Sequence, residues 1–244
     1  MKKNMLIVKI YLAMFIFVSS PKLILAADDK TSPSSPLTLT QELAKRKEAS
    51  KSKKRDPKIK AEFARAIKEL RNSGIEKTSK QKGAKAPEFH MGGKPFSETL
   101  KNGPVVLKFY RGSWCPYCNL ELKAYHQNYS KFKEKGYQLI FLTPDSPREI
   151  SKTLKKNNYT FPMYTDVENS IAKKFGIAFK LDEKVNELYK KFGINLVRAQ
   201  DNTNNELPMP GTYIIQKDGT ISFAHADADY TNRIDPLDLL KELK

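Results

Sequence analysis

Cysteine is nearly missing from this chain: 244 residues contain two, Cys115 and Cys118, within "KFYRGSWCPYCNLEL". So few cysteines exclude a disulfide-built scaffold, and a chain that is 39% hydrophobic and 10% aromatic has enough apolar material for a core without one. Two cysteines three apart can pair only with each other. Such a bridge closes a tiny loop and removes less unfolded-state entropy than the long loops that structural disulfides usually close. Histidine is almost as scarce. His90, His126 and His225 are far apart in sequence, and one CxxC with scattered histidines falls short of the four ligands of a structural zinc site. His126 falls two turns beyond the cysteines on the same expected helix; a copper-carrying role would recruit His225. The sequence reading assigns no metal and no cofactor. There is also no internal repeat, and no aromatic ladder accompanies the lysines, which argues against nucleic acid as a partner.

Long apolar runs are missing too, save one at the start. "MKKNMLIVKIYLAMFIFVSSPKLILAADD" has a basic beginning, an apolar stretch from Met5 to Val18 broken only by Lys9, and small residues at Ala26 and Ala27. This is the layout of a signal peptide over residues 1–27. The stretch is short for a span of about 20 residues, and Pro21-Lys22 interrupts it, so cleavage is expected rather than anchoring. Bacterial export would place the mature protein in the periplasm or another extracytoplasmic compartment, where thiols can pair.

Acidic residues are outnumbered, giving a formal net charge of +17. Residues 28–86 hold 17 Lys and Arg against 8 Asp and Glu, whereas residues 87–244 hold 23 against 19. The excess thus belongs mainly to a basic linker and helical arm over 28–86. Its second helix starts at Asp56-Pro57 and ends at Gly74, and carries Ile59, Phe63, Ile67 and Leu70 at helical spacing. That stripe is expected to dock on the following domain, or on a second copy as a homodimer contact.

Residues 87–244 alternate strand and helix. "PVVLKFY" is an apolar strand, "CPYCNLELKAYHQNYSKFKEKG" a helix, "YQLIFLT" a strand, "PREISKTLKKNN" a helix, "FPMYTD" a short strand and "NSIAKKFG" a helix. Residues 178–206 look like a polar, partly helical insertion. "GTYIIQKDGTISFAHAD" then forms a hairpin turning at Asp218-Gly219, and "DPLDLLKELK" a last helix. The pattern predicts an α/β domain, a central sheet with covered faces.

The strand running into Trp-Cys-Pro-Tyr-Cys places Cys115 at a helix start, with Pro116 in the first turn where a missing N–H is harmless. Free N–H groups and the helix dipole stabilise a thiolate there, and Cys118 lies one turn on, within disulfide reach. The spacing fits redox chemistry: Cys115 as an exposed nucleophile, Cys118 as the resolving thiol. Trp114 and Tyr117 would shape the rim, and Arg111 would support a thiolate. Glu121, one turn after Cys118, reads as a helix-surface residue.

"GPVVLKFYRGSWCPYCNLEL" and "LPMPGTYIIQKDGTISFAHADADYT", with "SGI" and "APEF" upstream, resemble the thioredoxin superfamily, and more narrowly its peroxiredoxin-like branch, the alkyl hydroperoxide reductase/thiol-specific antioxidant family. The resemblance, running from about residue 38 to the C-terminus, implies a thioredoxin-like fold with a central mixed sheet flanked by helices and an N-terminal helical arm. It implies that Pro210 is cis, with Met209 and Pro210 holding an extended substrate segment. Laid on the family's Pro-x-x-x-Thr-x-x-Cys motif, Cys118 takes the peroxide-attacking position, Cys115 the threonine's, Arg111 the proline's, and Pro210 the place of a distant arginine. Phe109 stands where thioredoxins hold a buried acid. The reading is therefore an exported thiol-disulfide oxidoreductase. Its partners would be protein thiols or disulfides and a redox partner that donates or accepts electrons. The alternatives are a thiol peroxidase for small hydroperoxides, with Cys118 attacking and Cys115 resolving, and a metallochaperone.

Overall fold

The computed structural model describes residues 37–52 and 56–244. The expected signal peptide over 1–27 lies outside them, as do residues 53–55. Three helices come first: α1 (Leu39–Ser52), α2 (Pro57–Asn72) and the short α3 (Ile75–Thr78). Asp56 caps α2, its side chain accepting from the Lys58 N–H, and Pro57 occupies the first turn. A small antiparallel pair, β1 (His90–Met91) with β2 (Lys94–Pro95), leads into α4 (Phe96–Lys101).

Next come β3 (Val105–Phe109), α5 (Pro116–Gln127), α6 (Tyr129–Glu134), β4 (Gln138–Thr143), α7 (Pro147–Asn157), β5 (Met163–Thr165) and α8 (Ser170–Lys174). The expected helix over 115–136 is thus two. Its break is at Asn128, whose amide donates to the Ala124 carbonyl at 2.9 Å while its backbone leaves helical geometry. The region 178–206 is more ordered than a polar insertion suggests. It contains β6 (Ala178–Lys180), α9 (Glu183–Lys191), α10 (Leu196–Gln200) and β7 (Glu206–Pro208), with β6 and β7 antiparallel. The hairpin β8 (Gly211–Ile215) and β9 (Ile221–Ala226) follows, then α11 (Pro236–Leu239).

The central sheet has the order β5-β4-β3-β8-β9, with β3 parallel to β4, β4 parallel to β5, and the β8–β9 hairpin antiparallel on the other side. It is a mixed sheet with both faces covered. Alternation along β3 divides the core: Val106 and Tyr110 pack on the face that holds α5, and Val105, Leu107 and Phe109 pack on the other. Lys108 shares the α5 face, and the register sets it beside Thr212.

The arm packs onto this core. Leu39 and Leu43, four apart on α1, are buried with the residues of α5, and Lys123 reaches Glu42 at 2.8 Å. The α2 stripe docks within its own chain: Phe63 meets the rings of Tyr189 and Phe192, and Leu70 packs against the far-face cluster.

Candidate functional site

Cys115 is the residue before α5, with extended backbone angles and Pro116 at the first helical position. Three contacts hold this turn. The Cys115 N–H donates to Gly112 O at 3.0 Å, the Ser113 N–H to Asp145 Oδ2 at 2.7 Å, and the Asn119 side chain to Ser113 O at 3.0 Å. Gly112 is required: its φ is +146°, and a Cβ there would lie 2.3 Å from Trp114 Nε1 and 2.8 Å from Asp145 Oδ1.

Both thiols are free, and both are buried; Cys115 is 1% exposed and Cys118 0%. The expectation of an exposed Cys115 is corrected here, because it is buried in one cluster with Tyr117, against which the half-buried Trp114 also packs. Their environments separate the two sulfurs. A hydrogen bond from Cys118, opposed by burial and helped by the charges of Arg111 and Arg233, holds Cys115 down to about 5. Burial, together with the neighbouring Cys115, pushes Cys118 well above an ordinary thiol. The pair at neutral pH is therefore a thiolate at Cys115 with a proton on Cys118.

Arg111 does not face solvent. It is buried, donates from Nη2 to Tyr189 Oη at 2.7 Å, and lies 4.4 Å from the ring centre of Tyr230 and 5.3 Å from that of Trp114. Among the described residues no carboxylate pairs with it, so the Cys115 thiolate is the negative charge that its field meets.

Behind Cys118 lies a buried charge cluster. Arg233 places Nη2 3.4 Å from Cys118 Sγ, bonds Glu121 through Nη1, and donates from Nε to Tyr230 O at 2.8 Å. Glu121 also accepts from Lys108 Nζ at 2.7 Å, and Lys108 contacts Thr212 Oγ1 and Tyr125 Oη. Glu121 is thus buried, correcting its expected surface position: Cys118, Glu121, Leu122 and Tyr125 form one inward stripe of α5. Against burial, Lys108 and Arg233 hold the Glu121 carboxyl below its usual range. Burial draws Lys108 down and Glu121 opposes it. One carboxylate shared between two cations fixes Arg233 against the sulfur.

The expectation at Met209 and Pro210 turns out differently. The described residues contain no cis peptide bond, so the Met209–Pro210 bond is trans. β7 pairs with β6 just before this bond, and the Met209 N–H donates to Ile177 O at 2.8 Å. The Met209 side chain joins the core on the sheet face opposite the cysteines, away from any strand lying over them, and its N–H is already used. Tyr117 stacks edge-on with Tyr230, 5.8 Å between ring centres. Among the described residues no three His, Cys, Asp or Glu gather as metal ligands, and His126 packs against Tyr159, 4.9 Å between ring centres.

Sequence reasoning passed over Lys108, Asp145, Tyr189, Tyr230 and Arg233. A lysine inside an apolar strand was a visible signal for the first. Arg233 follows β9 in a segment without periodicity, and nothing local marks it.

Chloroplastic peroxiredoxin Q of Gentiana triflora is 28% identical over 159 residues, 64% of this chain and 61% of that protein. Thiol-disulfide oxidoreductase ResA of Bacillus thuringiensis subsp. konkukian (strain 97-27) is 26% identical over 144 residues, 57% of this chain and 66% of that protein. The chain therefore spans about three fifths of the length of the Gentiana relative. Among solved structures, reduced Prx3 of Vibrio vulnificus in complex with H2O2 superposes with a TM-score of 0.54 at 15% identity, covering 67% of this chain and 98% of that one. At that identity the likeness is one of fold, and the fold is thioredoxin-like. The model of the AhpC/TSA family matches residues 82–224, more than half of the sequence and including both cysteines, and the chain belongs to that family.

Proposed function

We propose that the protein is an exported thiol-disulfide oxidoreductase that cycles a Cys115–Cys118 dithiol. The observation that carries this is the division of labour between the sulfurs: Cys115 is held down to about 5 while Cys118 keeps its proton. A thiolate nucleophile beside a protonated resolving thiol is what disulfide exchange needs. The Cys115 thiolate attacks one sulfur of a client disulfide, forms a mixed disulfide and expels the other client sulfur as thiolate. Cys118 then gives up its proton, attacks Cys115 Sγ and expels the second client thiolate. Two electrons have passed to the client, and a dithiol partner returns them. Because Cys115 is 1% exposed, the rim of Trp114 and Tyr117 must open for the client to reach it. Stabilising the thiolate also stabilises the reduced form and raises the potential of the pair, and the same two exchanges run in reverse when the Cys115–Cys118 disulfide takes two electrons from a client dithiol.

One observation favours a second reading, a thiol peroxidase attacking through Cys118: Arg233 stands 3.4 Å from that sulfur. Its weakness is that Cys118 holds its proton and that Cys115 and Pro210 replace two of the family's peroxide-binding groups. Rates distinguish the two. Reduced protein mixed with a small disulfide reacts faster than with equimolar hydrogen peroxide, and Cys115→Ser abolishes the disulfide reaction. Faster oxidation by peroxide, retained in Cys115→Ser and lost in Cys118→Ser, would establish the peroxidase instead.

A further inference from the structure

Between α2 and the β6–α9 segment is a cavity of about 240 Å³, open at one side, that the dithiol chemistry leaves unused. Its walls include Phe63, Ala66, Leu181 and Val185, and Arg111 and Tyr189 also line it. The wall is therefore mainly apolar, and a buried guanidinium reaches it. Arg111 Nε has no hydrogen-bond partner among the described residues, although the side chain is 3% exposed. A buried donor left unpaired costs free energy that an acceptor from outside can recover.

The charges near the cavity come close to balance. Glu69 and Asp182 both line it and share a single cation, Arg65, with Glu62, Asp182 at 2.9 Å. Lys180 adds a positive charge there. Around the Arg111 guanidinium the facing groups are Tyr189, Tyr230, Cys115 and Cys118, with no Asp or Glu among them. An apolar pocket with a planar, permanently charged fork at its base suits a carboxylate joined to a hydrocarbon body. At about 240 Å³, below the ~300 Å³ at which ordinary small-molecule sites begin, the body must be small.

We propose that this cavity binds a small amphiphilic carboxylate, its charge on Arg111 and its apolar end against Phe63, Ala66, Leu181 and Val185, and that occupancy makes Cys115 less reactive. The link is Arg111 itself: a bound carboxylate competes with the Cys115 thiolate for the same guanidinium field. The effect on the thiol rests on the dithiol reading; the binding does not.

The test uses the reduced full chain and octanoate as probe. Octanol supplies the apolar body without charge, and acetate the charge without body. Trp114, the single tryptophan, is 5.2 Å from the Tyr189 ring and reports binding by fluorescence. Cys115 alkylation followed against pH reports the thiol. Octanoate is expected to bind saturably and raise the alkylation midpoint by about one pH unit, the usual scale for losing one nearby opposite charge. Octanol and acetate leave the midpoint in place. Filling the cavity with Ala66→Phe, or with Val185→Phe should the first not fold, removes octanoate binding and leaves the ligand-free midpoint low. Absence of saturable binding, binding as tight by octanol, binding that survives both fillings, or binding without a midpoint change each overturn the proposal. A ligand-free midpoint near that of an ordinary thiol counts against the dithiol reading, whereas a low midpoint that octanoate cannot move counts against the cavity alone.

Discussion

Replacing Cys118 with alanine removes the largest single contribution to the Cys115 thiolate, the hydrogen bond that the Cys118 thiol donates to it. Hydrogen bonds to charged groups contribute roughly 1.5–3 kcal/mol, and one pH unit corresponds to about 1.4 kcal/mol. Cys115 should therefore rise from about 5 to roughly 6–7 in Cys118→Ala. It should not reach an ordinary thiol's value, because Arg111 and Arg233 still act on it. Cys118→Ser keeps a donor at the same position and should leave Cys115 close to its parent value. The assay is the ultraviolet absorbance of the thiolate followed through a pH titration of each reduced variant, with the Cys115→Ala protein as the blank. Identical midpoints in Cys118→Ala and Cys118→Ser would refute the reasoning. So would a low midpoint that persists in Cys115→Ala and therefore belongs to Cys118.

Glu121→Ala leaves Lys108 and Arg233 buried without the carboxylate that they share, and breaking such a pair costs about 3–5 kcal/mol. The expected outcome is a much lower urea midpoint, with Glu121→Gln intermediate because it keeps an acceptor. Asp145 gives a pH dependence. Burial, opposed by the Ser113 N–H, raises it from 3.8 to about 6. A raised carboxyl does not weaken the fold below 3.8, where both states are protonated. The fold loses stability as pH climbs toward 6 and carries the full deficit above it, up to about 3 kcal/mol. Asp145→Asn retains the oxygen that accepts from Ser113 without titrating. It should unfold like the parent near pH 3.5 and gain on it steadily up to neutral pH; a difference independent of pH would contradict this.

Much of the site was readable from local chemistry. The apolar run "PVVLKFY" ending at Trp-Cys-Pro-Tyr-Cys sufficed to place a strand, a turn and a helix start, since each signal is carried by neighbouring residues. The inward position of Glu121 was also present in the spacing, three residues after Cys118 and one before Leu122, but its charge outweighed the periodicity in the reading. Lys108 was a contradiction within an apolar strand, and the two anomalies resolve each other as a buried pair. Arg233 was out of reach. It meets Cys118 across 115 residues of sequence through the closure of the sheet, which no local pattern encodes. The cis expectation at Met209–Pro210 came from the family resemblance and from no pattern in the neighbouring residues. The helix break at Asn128 was hidden because apolar residues continue past it, with Tyr129 and Phe132 still packed on or within the core.

The central claim, that Cys115 is the attacking sulfur and Cys118 the resolving one, is tested most directly by trapping the mixed disulfide. Reduced Cys118→Ser protein is mixed with a small disulfide, quenched, digested and mapped by mass spectrometry beside Cys115→Ser treated in the same way. The account expects an adduct on Cys115 that accumulates in Cys118→Ser and little or none on Cys118 in Cys115→Ser. Rapid adduct formation on Cys118 in Cys115→Ser, with Cys115 unmodified in Cys118→Ser, would contradict it.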